Sequence, residues 1–226
     1  MVGRVKFGRF ILPRPYAGSK CRRHFMTLEP NRVDIERHIE LLTQPWRDAC
    51  LVANAEIRCL DGNGISKSYL FNPSDEDETD DAVSNLLRLN EVKWNSYICV
   101  NPIDPTHFGC AADDDIVDAY YQFADADTEA SAKSIRAFST QPNFYVITGK
   151  TPFERLHAYW MVDGIKDVDA WKLAQKLLIQ RFDSDKNIKN PSRIMRLAGT
   201  VSWPNTQKLK RGYIPELTAL QEIEAW

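Results

Sequence analysis

Cysteine is scarce in this sequence and poorly spaced for chemistry. The 226 residues include five, Cys21, Cys50, Cys59, Cys99 and Cys110, an odd number with no Cys-x-x-Cys pair. That pattern supports neither a disulfide framework nor a zinc ribbon. Cys21 and His24 form one Cys-x-x-His pair, with no second pair to complete a zinc site. Long apolar runs are also missing: none approaches the ~18 residues that a membrane span needs. The basic amino terminus is not followed by an apolar core of signal-peptide length. These absences lead to the expectation of a reduced, cytoplasmic protein with no membrane partner. Internal repeats and low-complexity tracts are lacking as well.

A third missing pattern concerns phosphate. Gly149-Lys-Thr151 resembles the end of a phosphate-binding P-loop, but that pattern needs a glycine five residues earlier, where Phe144 stands. Pro152 and Phe153 are also a poor start for the helix that would have to follow. A P-loop NTPase is excluded, and Lys150 is left as a candidate point charge for phosphate.

What is present is a real core and a segregated charge. Hydrophobic residues make up 43% of the chain, enough for one large domain or two small modules sharing a cleft. The net charge of −2 hides two basic segments around an acidic middle. Residues 1–47 hold ten Lys and Arg against four acids, residues 48–130 four against eighteen, and residues 181–211 eight against two. Such a layout suits either ordinary solvated surface or a polyphosphate or nucleic-acid groove beside a carboxylate cluster. The acidic run Asp75–Asp81 reads as a loop or helix start.

Hydrophobic periodicity predicts a helix from Glu29 to Leu42, a strand from Leu51 to Leu60, and a turn at Asp61-Gly-Asn-Gly64 with a returning strand from Lys67 to Phe71. A helix over 80–89, a strand over 97–100 and a short acidic segment over 113–119 follow. From residue 120 the order becomes regular: strand 120–125, helix 128–138, strand 143–148, strand 156–162, helix 167–182, strand 193–197. This β-α-β-β-α-β series is the ferredoxin-like, RNA-recognition-motif-like order. The end, Leu217 to Trp226, reads as a helix or linker that could lead onward to a helicase.

The chemistry concentrates in that second half. Asp125 and Asp127 stand two apart at the end of an apolar strand, so they share a face and repel each other. Two-metal phosphoryl transfer needs hard oxygen ligands of this kind, plus a third from another element. Asp183 and Asp185, just after the long helix, are the candidates. A bare Asp-x-Asp also caps turns, so the pair alone does not decide. His157 lies in an apolar strand, where a histidine is ordinarily a satisfied half-buried residue; on the neighbour of the Asp-x-Asp strand it could instead donate to a triphosphate. Arg193 and Arg196 are three apart, so on a regular strand they face opposite sides, and at least one needs a bend or an inward partner. Arginine forks suit phosphate oxygens, and equally a structural salt bridge.

Taken together these residues resemble the archaeo-eukaryotic primase superfamily, in its RepB-like plasmid and phage primase-polymerase branch. The resemblance rests on Phe123-Ala-Asp125-Ala-Asp127, Arg155-Leu-His157-Ala-Tyr-Trp160, an acid in Phe182-Asp-Ser-Asp185, Pro191-Ser-Arg-Ile-Met-Arg-Leu-Ala-Gly-Thr200, and the upstream Tyr97-Ile-Cys-Val-Asn-Pro102. It covers roughly residues 95–210. Arg155 stands where the family usually has a small polar residue, and Leu197-Ala-Gly199 where it has Leu-Pro-Gly. Asp183 follows a hydrophobic residue as the family motif does, whereas Asp185 has the family spacing to Pro191-Ser-Arg193 and is preferred.

The resemblance implies an α+β fold (two α/β layers) forming a single catalytic domain over 1–226. An N-terminal α/β module would span 1–95 and an RNA-recognition-motif-like palm 96–226. It implies a DNA primase-polymerase carrying out template-directed nucleotidyl transfer in a phage, plasmid or other mobile element. Asp125, Asp127 and Asp185 would hold two divalent ions, Mg²⁺ or Mn²⁺. His157, Arg193 and Arg196, helped by Lys150, would grip the triphosphate of an NTP or dNTP. Arg22, Arg23, Lys208, Lys210 and Arg211 are candidates to track a single-stranded DNA template, and a replicative helicase, as a domain or a separate protein, is a candidate partner. The alternative is a catalytically inactive primase-like module that binds single-stranded DNA or an origin. A metal-dependent nuclease using the same carboxylates is a further rival. A nicking-type initiator nuclease needs His-hydrophobe-His, which none of His24, His38, His107 and His157 provides.

Overall fold

A computed structural model describes residues 28–223. The Cys21–His24 pair and two of the template candidates, Arg22 and Arg23, lie outside the described residues. No helix among the described residues is long and apolar enough to cross a membrane.

The fold is mixed α+β. Helix α1 (Arg32–Asp48) is followed by the hairpin β1 (Ala55–Leu60) and β2 (Ser66–Phe71), helix α2 (Glu76–Glu91) and β3 (Asn95–Cys99). Then come β4 (Ala119–Ala126), α3 (Glu129–Arg136), β5 (Phe144–Gly149), β6 (Arg155–Ile165) and α4 (Val168–Phe182). The chain ends with β7 (Ile194–Arg196), β8 (Val201–Ser202), α5 (Thr206–Lys210), β9 (Glu216–Leu217) and β10 (Ala219–Glu222).

Local chemistry explains most boundaries. Asn31, Asp75, Thr128 and Asp167 cap α1 to α4 by accepting from backbone N–H groups of the first turn. The acidic run at 75–81 is thus a helix start, its charges favourable at the positive end of the helix dipole. Pro45 sits inside α1. It cannot donate to the Leu41 carbonyl, and the Tyr121 hydroxyl donates there instead, at 2.7 Å. That bond ties α1 to β4.

Two antiparallel four-stranded sheets result, ordered β2-β1-β3-β7 and β10-β5-β6-β4. In the second, β6 is inserted between β4 and β5, the split β-α-β arrangement expected from the sequence. The expected sixth element departs from it: β7 pairs with β3 in the first sheet, with Tyr97 opposite Arg196. The fourth strand of the second sheet is β10, against β5. Residues 219–222 are therefore strand rather than helix or linker, and Leu217 ends β9, which pairs with β8. The first sheet draws strands from both sides of residue 95.

The principal core lies between the sheets. Ile57, Ile98 and Met195 of the first meet Phe123, Phe144 and Tyr159 of the second, with Ile35 and Leu42 of α1 and Trp171 of α4. Burying each such side chain is worth about 1.5–3 kcal/mol. Phe144 and Tyr159 stack at 4.5 Å between centroids. On the other face of the second sheet, Ala124, Ala126, Leu156, Ala158 and Trp160 pack on Ile135 of α3 and Phe182 of α4. Strands β4 and β6 are buried on both faces at this level, so their residues read as continuous apolar runs.

Strand β4 is the open edge of its sheet, so its outward carbonyls need partners. Trp171 Nε1 donates to the Tyr121 carbonyl at 2.9 Å. Gln175 Nε2 donates to the Phe123 carbonyl at 2.6 Å and to that of Ile188 at 2.9 Å. The Asp185 N–H donates to the Asp125 carbonyl at 3.1 Å. Helix α4 and the turn after it are fastened to the edge by this series.

Candidate active site

The alternation along β4 decides where its carboxylates go. Tyr121 and Phe123 point into the core between the sheets, and Asp125, two residues further on, shares their face at the end of that core. Asp127 lies just beyond the strand end. On β6, His157 is directly opposite Asp125, and its Nε2 is 3.5 Å from Asp125 Oδ1. The Tyr159 hydroxyl lies within 3.5 Å of His157 Nδ1.

These side chains open into a cleft between the two sheets. Asp125, Asp127, His157, Asp185, Arg193 and Arg196 all line it, together with Tyr97, Thr148, Arg155, Trp203, Lys208 and Tyr213. Asp183 does not. It ends α4 in the left-handed conformation, at φ 46°, and lines a depression on the outer surface. Asp185 turns toward the cleft because its backbone is bonded to Asp125 and its Oδ1 accepts from Asn187 N and Nδ2, each at 2.9 Å.

The two arginines reach one cleft because only Arg196 is in β7; Arg193 precedes the strand in a turn. That turn is fixed on two sides. Buried Asn101 donates to the Pro191 carbonyl at 2.9 Å and accepts from Tyr120 N at 3.0 Å. Asp113 accepts from Ser192 Oγ at 2.7 Å and pairs with Lys172 of α4 at 2.9 Å. The acidic segment at 113–115, a short 3₁₀ turn, is therefore an anchor. Arg193 donates to the Asn187 carbonyl, and its buried Nε has no partner among the described residues. Arg196 is held by Asn95 Oδ1 at 2.7 Å and the Tyr97 hydroxyl at 2.9 Å.

Gly199 explains the Leu197-Ala-Gly199 turn. Its φ is +74°, and an added Cβ would lie 2.3 Å from the Asn31 carbonyl oxygen. Only glycine lets the chain pass the start of α1 after β7.

Lys150 is placed elsewhere. It lies beyond the end of β5, exposed, beside Leu28 and Pro215 rather than in the cleft. Its backbone N–H donates to the Glu216 carboxylate at 3.0 Å, which fixes the chain there and leaves the side chain outside. The lysine in the cleft is Lys208 of α5. Of the other basic candidates, Lys210 and Arg211 are exposed.

Arg155 was legible only as a departure from the family pattern. It is 5% exposed, pairs with Glu216 at 3.1 Å, donates to the Thr151 carbonyl at 2.6 Å and lies over the Tyr213 ring at 4.3 Å. Its charge is compensated, unlike that of Arg193. Tyr97 was visible only as a strand residue. Trp203 and Tyr213 gave no signal, because their loops reach the cleft through long-range packing.

Charge in the cleft is frustrated. Burial, then the neighbouring Asp127 and Asp185, push the Asp125 carboxyl up to about 8, while Lys208 and Arg196 pull it back. Burial, then the positive charge of Arg196, holds His157 well below the ordinary histidine range, so its imidazole is neutral at pH 7. A set of carboxylate oxygens repelling one another suits a hard divalent cation, which would relieve that repulsion. Among the described residues, no three His, Cys, Asp or Glu side chains stand close enough to form a ready-made metal cluster.

No family model matches the chain, and no curated protein does. Solved structures do. The archaeo-eukaryotic primase domain of the cyanophage S-2L primase-polymerase matches with a TM-score of 0.56 and 24% identity, over 84% of this chain and 89% of that one. Primase RepB′ matches at 0.59 and 14% identity, over 85% of this chain and 56% of its own. The catalytic domain of RepB′ in complex with initiator DNA matches at 0.56 and 16%, over 84% and 85%. The likeness establishes the fold, that of RepB-like archaeo-eukaryotic primase domains.

Proposed function

We propose that this chain is a DNA primase-polymerase. It adds NTP or dNTP units to a 3′-hydroxyl on a single-stranded DNA template, in the replication of a phage, plasmid or other mobile element. One observation carries the reading: Asp125, Asp127, Asp185, His157, Arg193 and Arg196 line a single cleft. Three are anionic oxygen donors of the kind nucleotidyl transfer needs, and the others are donors to phosphate.

Asp125, Asp127 and Asp185 are the groups that would hold Mg²⁺ or Mn²⁺, which when bound activates the attacking hydroxyl and stabilises the departing pyrophosphate. The protein's own part is positioning and electrostatics. Arg193 lines the cleft with no acidic partner among the described residues and adds positive charge for triphosphate oxygens, Arg196 and Lys208 add fixed positive charge, and His157 holds a neutral ring against Asp125. The hydrogen bonds of Asn101, Asp113 and Asn95 keep both arginines in place before substrate arrives.

The test is primer extension and unprimed synthesis with labelled nucleotides and Mn²⁺. The wild-type protein is expected to lengthen a primer, and Asp125→Ala with Asp127→Ala to abolish this. Full extension by the double variant overturns the proposal. Shortening of labelled DNA without nucleotides would identify a nuclease. One observation favours a second reading, an inactive DNA-binding module: the carboxylates as placed do not form a closed metal cluster. DNA binding with no incorporation in any divalent ion would select it.

A further inference from the structure

The turn between α4 and β7 has two sides. Asp185, Ile188 and Arg193 line the cleft. The opposite side carries Lys186 and Lys189, which join Lys176, Ile179, Gln180 and Asp183 of α4 and its cap around an open depression. Lys176, Lys186 and Lys189 are exposed, and none makes an ion pair or hydrogen bond with a described residue. Three unpaired ammonium groups around one hollow repel one another, and a polyanion would relieve that repulsion. Asp183 compensates only part of the charge.

The turn itself is stiff. Gln175 holds the Ile188 carbonyl, Asp185 is bonded to Asp125 and to Asn187, and Arg193 reaches back to the Asn187 carbonyl. The lysines therefore stand in fixed register with the cleft, one or a few residues from side chains that face it. Lysine, as a strongly hydrated point charge with no planar fork, suits a phosphodiester backbone whose sequence varies.

We infer that the depression formed by Lys176, Lys186 and Lys189 binds the sugar-phosphate backbone of a single-stranded nucleic acid whose reacting end lies in the cleft. The proposal rests on the nucleotidyl-transfer reading for the strand's presence in the cleft, but the surface can be tested without catalysis.

The experiment measures binding of a labelled single-stranded oligonucleotide by fluorescence anisotropy across a salt series. It uses wild type, the variant Lys176→Glu/Lys186→Glu/Lys189→Glu, and a charge-matched control, Lys67→Glu/Lys133→Glu/Lys166→Glu. Each phosphate contact on a single strand contributes ~0.7 to the slope of log affinity against log salt, so losing two or three contacts lowers it by about 1.5–2. The depression variant is expected to lose this slope and at least about tenfold in affinity at low salt, with the control close to wild type and nucleoside triphosphate binding unchanged in both. Inorganic triphosphate should compete poorly for the depression.

Equal losses in both variants would reduce the effect to net charge and overturn the proposal. So would wild-type binding by the depression variant. Loss of nucleotide binding with retained oligonucleotide binding would assign the lysines to a free phosphate and likewise overturn it. If wild type binds DNA through this surface but incorporates nothing, the surface stands and the polymerase reading fails. If it polymerises with the depression variant unaffected, the reverse holds.

Discussion

The backbone N–H of Asp185 donates to the carbonyl oxygen of Asp125 at 3.1 Å. One hydrogen bond thus joins two candidate site acids that are 60 residues apart in the chain. It exists because β4 is an edge strand whose outward carbonyl would otherwise be left unpaired beside the cleft. The same link separates Asp185 from Asp183, which turns outward in a left-handed cap.

From that separation, Asp185→Ala should abolish nucleotide incorporation, whereas Asp183→Ala should stay within about twofold of wild type. Steady-state primer extension at saturating Mn²⁺ checks both. Equal losses would show that the turn, rather than either carboxylate, is what matters.

Gln175 is fully buried and serves three backbone groups: the Phe123 carbonyl, the Ile188 carbonyl and the Phe123 N–H, the last at 3.3 Å. Leaving a buried polar group unsatisfied costs about 1–3 kcal/mol. Gln175→Leu should therefore destabilise the protein by about 3 kcal/mol in urea unfolding. It should also lower incorporation in the surviving folded fraction, because Asp185 loses part of its support. Gln175→Glu, which keeps the shape and loses the donors, should do no better.

Much of this arrangement was readable beforehand. The alternation Tyr121, Phe123, Asp125 fixes a shared face from sequence alone, and so does the polar His157 inside an apolar strand. The helices and the Asp61-Gly-Asn-Gly64 turn are local chemistry and are found where the sequence places them, although α1 runs on to Asp48, six residues past the expected end at Leu42, and α2 begins at Glu76 rather than at residue 80. The misplacements are non-local. Strand β7 has only three residues, and nothing in Ile194-Met-Arg196 says which of two sheets it joins. Residues 217–223 carry Leu217, Leu220 and Ile223 at helical spacing, yet 219–222 pair as strand because the edge of β5 is free to receive them, and Leu217 pairs with Val201 of β8. Lys150 follows a glycine in a phosphate-like triplet, but Glu216, distant in sequence, fixes the chain there. No local pattern marks Lys208 as the lysine that replaces it.

Asp125 gives a pH dependence. Its carboxyl lies at about 8 in the folded protein, against about 3.9 in the unfolded chain. Between these values the folded state holds a proton that the unfolded state has released. Stability therefore falls as pH rises from about 4 to about 8. Asp125→Asn removes this cost, so the variant should melt higher than wild type at pH 8, with the gap closing near pH 4. A divalent ion should raise the melting temperature of wild type at pH 8 and leave that of Asp125→Asn nearly unchanged. A pH-independent gap would mean that Asp125 is ionised throughout.

The last prediction separates the two lysines. Lys208 shares the cleft with Asp125, whose carboxyl its charge helps to lower, and it stands on a short helix capped by Asn205. A charged hydrogen bond to phosphate is worth about 1.5–3 kcal/mol, which corresponds to roughly 10- to 150-fold in binding. Lys208→Ala should raise the KM for nucleotide by an amount in that range with a smaller change in kcat, since the lost contact is made in the ground state as well as the transition state. Lys150→Ala should leave both constants within twofold, because only its backbone is engaged, with Glu216. Steady-state kinetics of the two variants decides between the exposed lysine of the phosphate-like triplet and the one the fold brings to the cleft.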